Sequence, residues 1–222
     1  MEEKQLQAEA PLKIQISHMN KAFKDHVVLK DVSLMCRSGE ITGIIGRNGA
    51  GKTVLFKILC GLLTMEDGEI FIDGKKREKT AEMLPSAGVI IEEPAFLSYY
   101  SGIKNLEYLY LIRNKKDRMH IREVLQKVGL DPDSKKHVNC YSLGMRQRLA
   151  IAQAIMEDPE ILILDEPFNG LDNHGVEDMR KLFLELKQQG KTILVASHNA
   201  EDIRILCDQV YSMDGGVLTK VR

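Results

Sequence analysis

The segment GRNGAGKT, residues 46 to 53, has the spacing G-x-x-x-x-G-K-[ST], which is typical of loops that bind phosphate. Its glycines let the backbone N–H groups bend inward around an anion, and the predicted following helix adds its positive N-terminal end. Lys52 can reach the β- and γ-phosphates of a nucleotide, and the Thr53 hydroxyl can bind Mg²⁺. The predicted nucleotide-binding residues of this loop are Gly46, Arg47, Asn48, Gly49, Ala50, Gly51, Lys52 and Thr53.

The segment ILILDEP supplies two carboxylates at the end of a predicted buried strand. In open α/β sheets ligands bind at the carboxyl ends of the strands, so Asp165 is the expected protein partner of the Mg²⁺. Successive strand residues face opposite ways, and Glu166 therefore has a different task. We expect Glu166 to orient or deprotonate an attacking water.

A second pair of carboxylates occurs in VIIEEPAF, residues 89 to 96. Glu92 and Glu93 fit a catalytic acid/base pair, a metal site or ordinary surface charge at the end of a strand. On an extended segment neighbouring side chains point apart, which disfavours a glycosidase-like pair. The residues of this segment do not decide between the other two.

The elements that must position these side chains are predicted from hydrophobic periodicity. Short apolar strands without alternation, such as EITGIIG, ILILDEP and KTILVASH, are separated by amphipathic helices, which indicates a largely parallel sheet covered on both faces. The fold class is thus α/β, with a mostly parallel core of the P-loop NTPase (RecA-like) type. Two alternating strands near the N-terminus predict an antiparallel β subdomain, and helices over about 95–150 predict an inserted helical subdomain. The whole chain, 1–222, is expected to form a single domain, with residues 1–11 as a flexible leader.

Composition excludes several classes of protein. The formal net charge is −1 and the pI about 6.6, and the sequence has no basic stripe, so we expect no nucleic-acid partner. No apolar run approaches the ~18 residues of a spanning helix, and the acidic start lacks a signal-peptide pattern. These features predict a cytoplasmic location. The cysteines are far apart and match no metal or redox spacing.

A phosphate loop alone also fits GTPases and kinases. NKKD, residues 114 to 117, matches the guanine-binding pattern N-K-x-D, and Asp172 begins a D-x-x-G match. The NKKD segment follows a predicted helix where the guanine motif should close a strand, and the two motifs occur in the reverse of the GTPase order. We therefore interpret NKKD as a charged helix end.

Taken together, the motifs resemble those of the ATP-binding subunits of ABC transporters, over nearly the whole chain and in that family's order. GRNGAGKT and ILILDEP resemble the two Walker motifs, and YSLGM, residues 141 to 145, lies where the family has its L-S-G-G-Q signature. NGLD, residues 169 to 172, resembles the loop that touches the opposite subunit. The resemblance implies ATP and Mg²⁺ as cofactors and ATP hydrolysis coupled to transport.

The resemblance also assigns residues that spacing alone does not. His198 resembles the switch histidine, Phe23 resembles the aromatic that stacks on adenine, and Val28 lies nearby in sequence. Glu92 occupies the position of a glutamine that contacts Mg²⁺ and the attacking water, so we assign Glu92 to the metal and the catalytic group. This glutamate and YSLGM resemble the bacitracin and lantibiotic export or self-protection branch.

The family's sandwich dimer defines the expected partners. Ser142 and the backbone N–H of Gly144 begin a helix and form a second anion site. If this helix and the phosphate loop both lie on an open face, one chain cannot fold the first onto the second. Two head-to-tail copies can complete each other's sites in trans. The other expected partner is a membrane permease, which would place the chain on the inner face of the membrane. The alternatives are an ABC-type ATPase that is not coupled to transport and a P-loop kinase, which would leave YSLGMRQR and His198 unexplained.

Overall fold

The computed structural model describes residues 10–77, 83–84, 86–93 and 95–222. Residues 1–9 of the predicted leader and Pro94 of the VIIEEPAF segment lie outside this range. The strands are β1 (Leu12–Phe23), β2 (His26–Arg37), β3 (Ile41–Ile45), β4 (Asp67–Ile72), β5 (Lys75–Lys76), β6 (Ala87–Ile90), β7 (Ile161–Asp165), β8 (Thr192–Ser197), β9 (Gln209–Asp214) and β10 (Val217–Lys220). The helices are α1 (Lys52–Leu59), α2 (Gly102–Tyr110), α3 (Arg118–Lys127), α4 (Leu143–Ile155), α5 (Asn173–Gln188) and α6 (Ala200–Leu206), with a short 3₁₀ helix at Val138–Cys140.

In the described residues the strands form two sheets, which confirms the predicted fold class. The larger sheet has the order β10-β9-β3-β8-β7-β6 and is parallel except for β10. The smaller sheet, β2-β1-β4-β5, is antiparallel. Helices α2, α3 and α4 lie between β6 and β7 in the chain, as predicted for an inserted helical subdomain.

The core follows from strand alternation. In β7, Leu162 and Leu164 belong to one buried cluster with the helices α2 to α5, whereas Ile161 and Ile163 belong to a second cluster with β1, β2 and α1. Successive side chains of a strand point to opposite faces, so a strand that is covered on both sides has no polar positions. This explains the uninterrupted ILIL run.

Register brings the ends of the central strands to one edge. Ile45 of β3 pairs with Ser197 of β8, and Asp165 of β7 pairs with Ala196. The residues that follow these strands therefore meet, although Gly46, after β3, is more than a hundred positions from Glu166 and His198, after β7 and β8. None of the helices in the described residues has the length and apolarity that a membrane span requires.

Candidate nucleotide-binding site

The phosphate loop connects β3 to α1 and folds around its own lysine. The Lys52 side chain is buried, and its Nζ donates to the carbonyl oxygen of Gly46 at 2.7 Å and to that of Arg47 at 3.3 Å. A Cβ on Gly46 would lie 2.5 Å from the carbonyl oxygen of Met213, so only glycine fits there. Gly51 has φ 113°, a conformation that glycine adopts at no steric cost. The glycines thus serve both close packing and the curvature of the loop.

The loop lines a cleft of about 270 Å³ together with the end of β7. The lining residues are Val28, residues 47–54 of the loop and α1, Asp165 and Glu166. The structure therefore brings Val28 next to the phosphate loop. Phe23 lies outside this lining, 44% exposed at the end of β1, with Lys21 Nζ 5.1 Å from its ring centroid. Its stacking on adenine stays a prediction.

Thr53 and Asp165 converge within the cleft. The Thr53 hydroxyl donates to Asp165 Oδ2 at 2.5 Å. Burial raises the pKa of Asp165, the Thr53 hydrogen bond and Lys52 lower it, and the neighbouring Glu166 and Glu92 carboxylates raise it again, with a net upward shift. A desolvated carboxylate of this kind is stabilised by a cation.

The described residues contain no cluster of three or more His, Cys, Asp or Glu side chains arranged around a metal position. Magnesium is commonly held by one or two protein oxygen ligands, with water and substrate phosphates as the others. The Thr53–Asp165 pair beside the phosphate loop fits that manner of binding.

Glu166 is held between two basic side chains. Its Oε2 lies 2.9 Å from His198 Nδ1, and its Oε1 lies 3.6 Å from Lys52 Nζ. Glu166 Oε1 is buried and lacks a hydrogen-bond partner within the described part of the chain. The backbone of Glu166 has φ 50°, so the chain bends sharply as it leaves β7. The carboxylate is thereby directed at the cleft with one acceptor oxygen available.

The expectation that Glu92 lies on an extended segment is wrong. Strand β6 ends at Ile90, and Glu92 has φ 59°, in the same left-handed region as Glu166. The physical reason is shared, because both residues follow parallel strands whose chains must turn out of the sheet at its carboxyl edge. Glu92 Oε1 lies 2.6 Å from Lys57 Nζ, and the Glu92 side chain is 62% exposed. Its assignment to the metal and to catalysis stays a prediction.

The signature segment begins α4. Ser142 is the N-cap, and its Oγ accepts a hydrogen bond from the N–H of Met145 at 3.2 Å. Ser142 and Gly144 line a different cavity, of about 670 Å³, from the one around Lys52. Within one chain the two predicted anion sites are therefore separate.

The aspartates of the two GTPase-like motifs, NKKD and D-x-x-G, have structural roles. Asp117 is the N-cap of α3 and accepts from the N–H of His120 at 3.0 Å, and Asp172 is the N-cap of α5 and accepts from the N–H of Gly175 at 2.8 Å. The aspartate of each match is therefore explained by helix capping.

Sequence reasoning missed two side chains that contact the site. Lys57 pairs with Glu92, and Gln147 donates from α4 to the carbonyl oxygen of Pro167 at 2.9 Å, directly after Glu166. Lys57 lies one helical turn beyond Thr53 on α1, which is a signal that could have been used. No sequence signal identifies Gln147.

The geometry describes a nucleotide-binding site of the P-loop type, and comparison with known proteins specifies the family. The profile of the ABC transporter family matches residues 29–169. The ABC transporter ATP-binding protein YybJ of Bacillus subtilis is 39% identical over 205 residues, covering 92% of this chain and 94% of that protein. This chain belongs to the ABC transporter ATP-binding proteins and, as a member of that family, is an ATPase.

The resemblance to the peptide-antibiotic branch is also confirmed. The bacitracin transport ATP-binding protein BcrA of Enterococcus faecalis is 37% identical over 93% of this chain and 68% of its own length. The lantibiotic transport ATP-binding protein SrtF of Streptococcus pyogenes is 35% identical over 88% of this chain and 84% of its own length. Among solved structures, the dimeric bacterial ABC transporter cassette MJ0796 shares the fold, with a TM-score of 0.83 at 24% identity over 94% of this chain and 99% of that chain.

Proposed function

We propose that this chain is the motor subunit of a peptide-antibiotic transporter. Two copies would close head-to-tail around two Mg·ATP, and hydrolysis would reopen them and drive a separate membrane permease. The observation that carries the proposal is the separation of the Ser142 cavity from the Lys52 cleft within one chain. A second copy turned by a two-fold axis supplies the missing half of each site.

In this proposal the residues of the cleft divide the work of phosphoryl transfer. Lys52 Nζ exchanges its carbonyl partners for the β- and γ-phosphate oxygens, and the loop N–H groups bind the remaining charge. Thr53 and Asp165 would hold Mg²⁺, which neutralises phosphate charge. Glu166 accepts a proton from the attacking water, while His198 keeps the carboxylate in place. Ser142 and the N–H of Gly144 from the second copy face the transferred phosphate.

The experiment is size-exclusion chromatography of Glu166→Gln with saturating ATP and Mg²⁺. We expect a stable dimer, because the amide leaves the phosphate contacts intact but cannot accept the water's proton. Glu93→Gln is the matched control, since Glu93 is exposed and two residues beyond Ile91, outside the cleft lining. Glu93→Gln should hydrolyse ATP, so its dimer should be transient and should not be stable on the column. A monomeric Glu166→Gln at saturation would refute the sandwich.

The permease contact is proposed for the loop at 92–97 and the helical subdomain at about 95–150, with the chain peripheral on the inner face of the membrane. Support comes from the exposed apolar surface of this region, where Leu97 is 52%, Tyr99 78% and Ile112 74% exposed. In this proposal the exposed apolar side chains of the region form the surface that the permease contacts. Affinity purification of the tagged chain from membranes should recover a multi-span protein. Recovery of the chain alone would favour an ABC-type ATPase that is not coupled to transport.

The antibiotic assignment is proposed from the bacitracin and lantibiotic relatives. Deletion of the gene should lower the minimal inhibitory concentration of bacitracin or a lantibiotic, and the wild-type gene should restore it. The Glu166→Gln gene should fail to do so. Unchanged susceptibility to both classes would contradict the antibiotic assignment, and the transporter would then carry another substrate. The ATPase assignment would be unaffected.

A further inference from the structure

Gln147 connects the signature helix to the turn that carries the catalytic carboxylate. It lies on α4, five residues after Ser142, and is partly buried. Its Nε2 donates to the carbonyl oxygen of Pro167 at 2.9 Å and lies 3.4 Å from that of Glu166. One amide group thus contacts two consecutive carbonyls of the segment that follows β7.

That segment has a strained conformation that other contacts must hold. Glu166 has φ 50°, which is unfavourable for a residue with a side chain. Its N–H donates to the carbonyl of Ala196 at 2.9 Å, and its own carbonyl accepts from the N–H of Asn169 at 3.1 Å. These bonds fix the turn to the sheet, and the Gln147 amide fixes it to α4. The direction of the Glu166 carboxylate depends on the backbone at this point.

Packing joins the same two segments further along. A Cβ on Gly144 would lie 2.9 Å from the carbonyl oxygen of Gly170, and a Cβ on Gly170 would lie 2.3 Å from Cγ of Leu143. The Gln147 contact differs from these packing contacts because it is a directed hydrogen bond, and because it lies directly beside Glu166. The Gln147 side chain therefore connects α4, which begins at Ser142, to the backbone at Glu166 and Pro167.

We propose that Gln147 is a positioning residue that couples the two nucleotides of the dimer. The inference rests on the proposed sandwich, in which Ser142 serves the partner's nucleotide and Glu166 serves the chain's own. Gln147 is then the intrachain link between them. When the partner's ATP binds the Ser142 end of α4, the Glu166 carboxylate is positioned for hydrolysis of the chain's own ATP.

The test compares Gln147→Met and Gln147→Glu with the control Gln153→Met, which lies on the same helix but lines a separate cavity beneath β6. Removing the donor should lower kcat by roughly two- to tenfold, the range for a lost neutral hydrogen bond. Affinity for a fluorescent ATP analogue should stay within about twofold, because the phosphate loop is untouched. Gln153→Met should match the wild type in both measurements.

The relative kcat of the two variants shows whether Gln147 acts by positioning Glu166 or by packing alone. Glutamate has the shape of glutamine but places a carboxylate against two carbonyl oxygens, so Gln147→Glu should be slower than Gln147→Met. If Gln147 only fills space, the isosteric glutamate would be the milder change and the inference would be wrong. If glutamate prevents folding, seen as loss of the thermal transition, the methionine variant alone carries the kcat comparison.

A double-mutant cycle tests the coupling itself. Ser142→Ala and Gln147→Met should be non-additive in kcat, since both interrupt one connection. Additive losses would overturn the coupling, and so would an unchanged kcat in Gln147→Met. Dimer formation is measured separately, with the Glu166→Gln variant in which Ser142 and Gln147 are unchanged. Failure of the sandwich and failure of the coupling are therefore distinguishable.

Discussion

Replacement of Gly170 by alanine tests how the signature helix packs on the loop at residues 169–172. Gly170 has φ 75°, and a Cβ there would lie 2.3 Å from Cγ and 3.1 Å from Cβ of Leu143. The left-handed backbone costs an L-residue about 1–2 kcal/mol. Overpacking against a side chain adds about 1–3 kcal/mol. We expect Gly170→Ala to lower the free energy of unfolding by about 2–5 kcal/mol.

Two further variants divide this loss into its parts. Gly190→Ala carries the backbone penalty alone, because Gly190 has φ 86° and a Cβ there meets no described atom within 4 Å. It should cost about 1–2 kcal/mol. In the Leu143→Ala background, Gly170→Ala should cost less than in the wild type and approach the cost of Gly190→Ala, since the 2.3 Å contact with Cγ is removed and only the 3.1 Å contact with Cβ is left.

The assay is urea unfolding without nucleotide, with the free energy extrapolated to water. The coupling energy between positions 143 and 170 should recover most of the overpacking part, which is about 1–3 kcal/mol in total. Equal losses for Gly170→Ala and Gly190→Ala, together with no coupling to Leu143, would refute the packing described here.

Three other changes have defined outcomes. Glu92→Gln should preserve ATP binding but shift the Mn²⁺ dependence of ATPase activity. Lys57→Met should change this activity less in the Glu92→Gln background than in the wild type. An unchanged metal titration would contradict the assignment of Glu92 to the metal. Asp165→Asn should raise the melting temperature of the metal-free chain at pH 7, because burial raises the pKa of Asp165 above its usual value of 3.8 and the ionised form destabilises the fold. That advantage should shrink as the pH falls through the raised pKa, and a lower melting temperature at pH 7 would contradict it. Gly88→Ala should lower stability by about 3 kcal/mol or more, because its Cβ would lie 2.0 Å from the Ala154 carbonyl oxygen; a melting temperature equal to the wild type would contradict the contact.

Sequence periodicity was sufficient for most of the elements. The strand expected at EITGIIG is β3, the one at ILILDEP is β7, and the one at KTILVASH is β8. Helix α6 was missed, since its seven residues are too few to show a helical repeat. The extended course expected at Glu92 was wrong because nothing in the local pattern shows where a strand must turn out of its sheet.

The sequence by itself determined the phosphate loop, the Asp165–Glu166 pair and the alternation of strands and helices. Each of these depends on residue types at short fixed spacings, which local backbone geometry converts directly into structure. Tertiary structure alone decided that Lys57 pairs with Glu92, that Gln147 reaches Pro167, and that Ser142 opens into a cavity apart from Lys52. These contacts join separate elements, and their geometry depends on sheet register and helix packing that no single segment encodes.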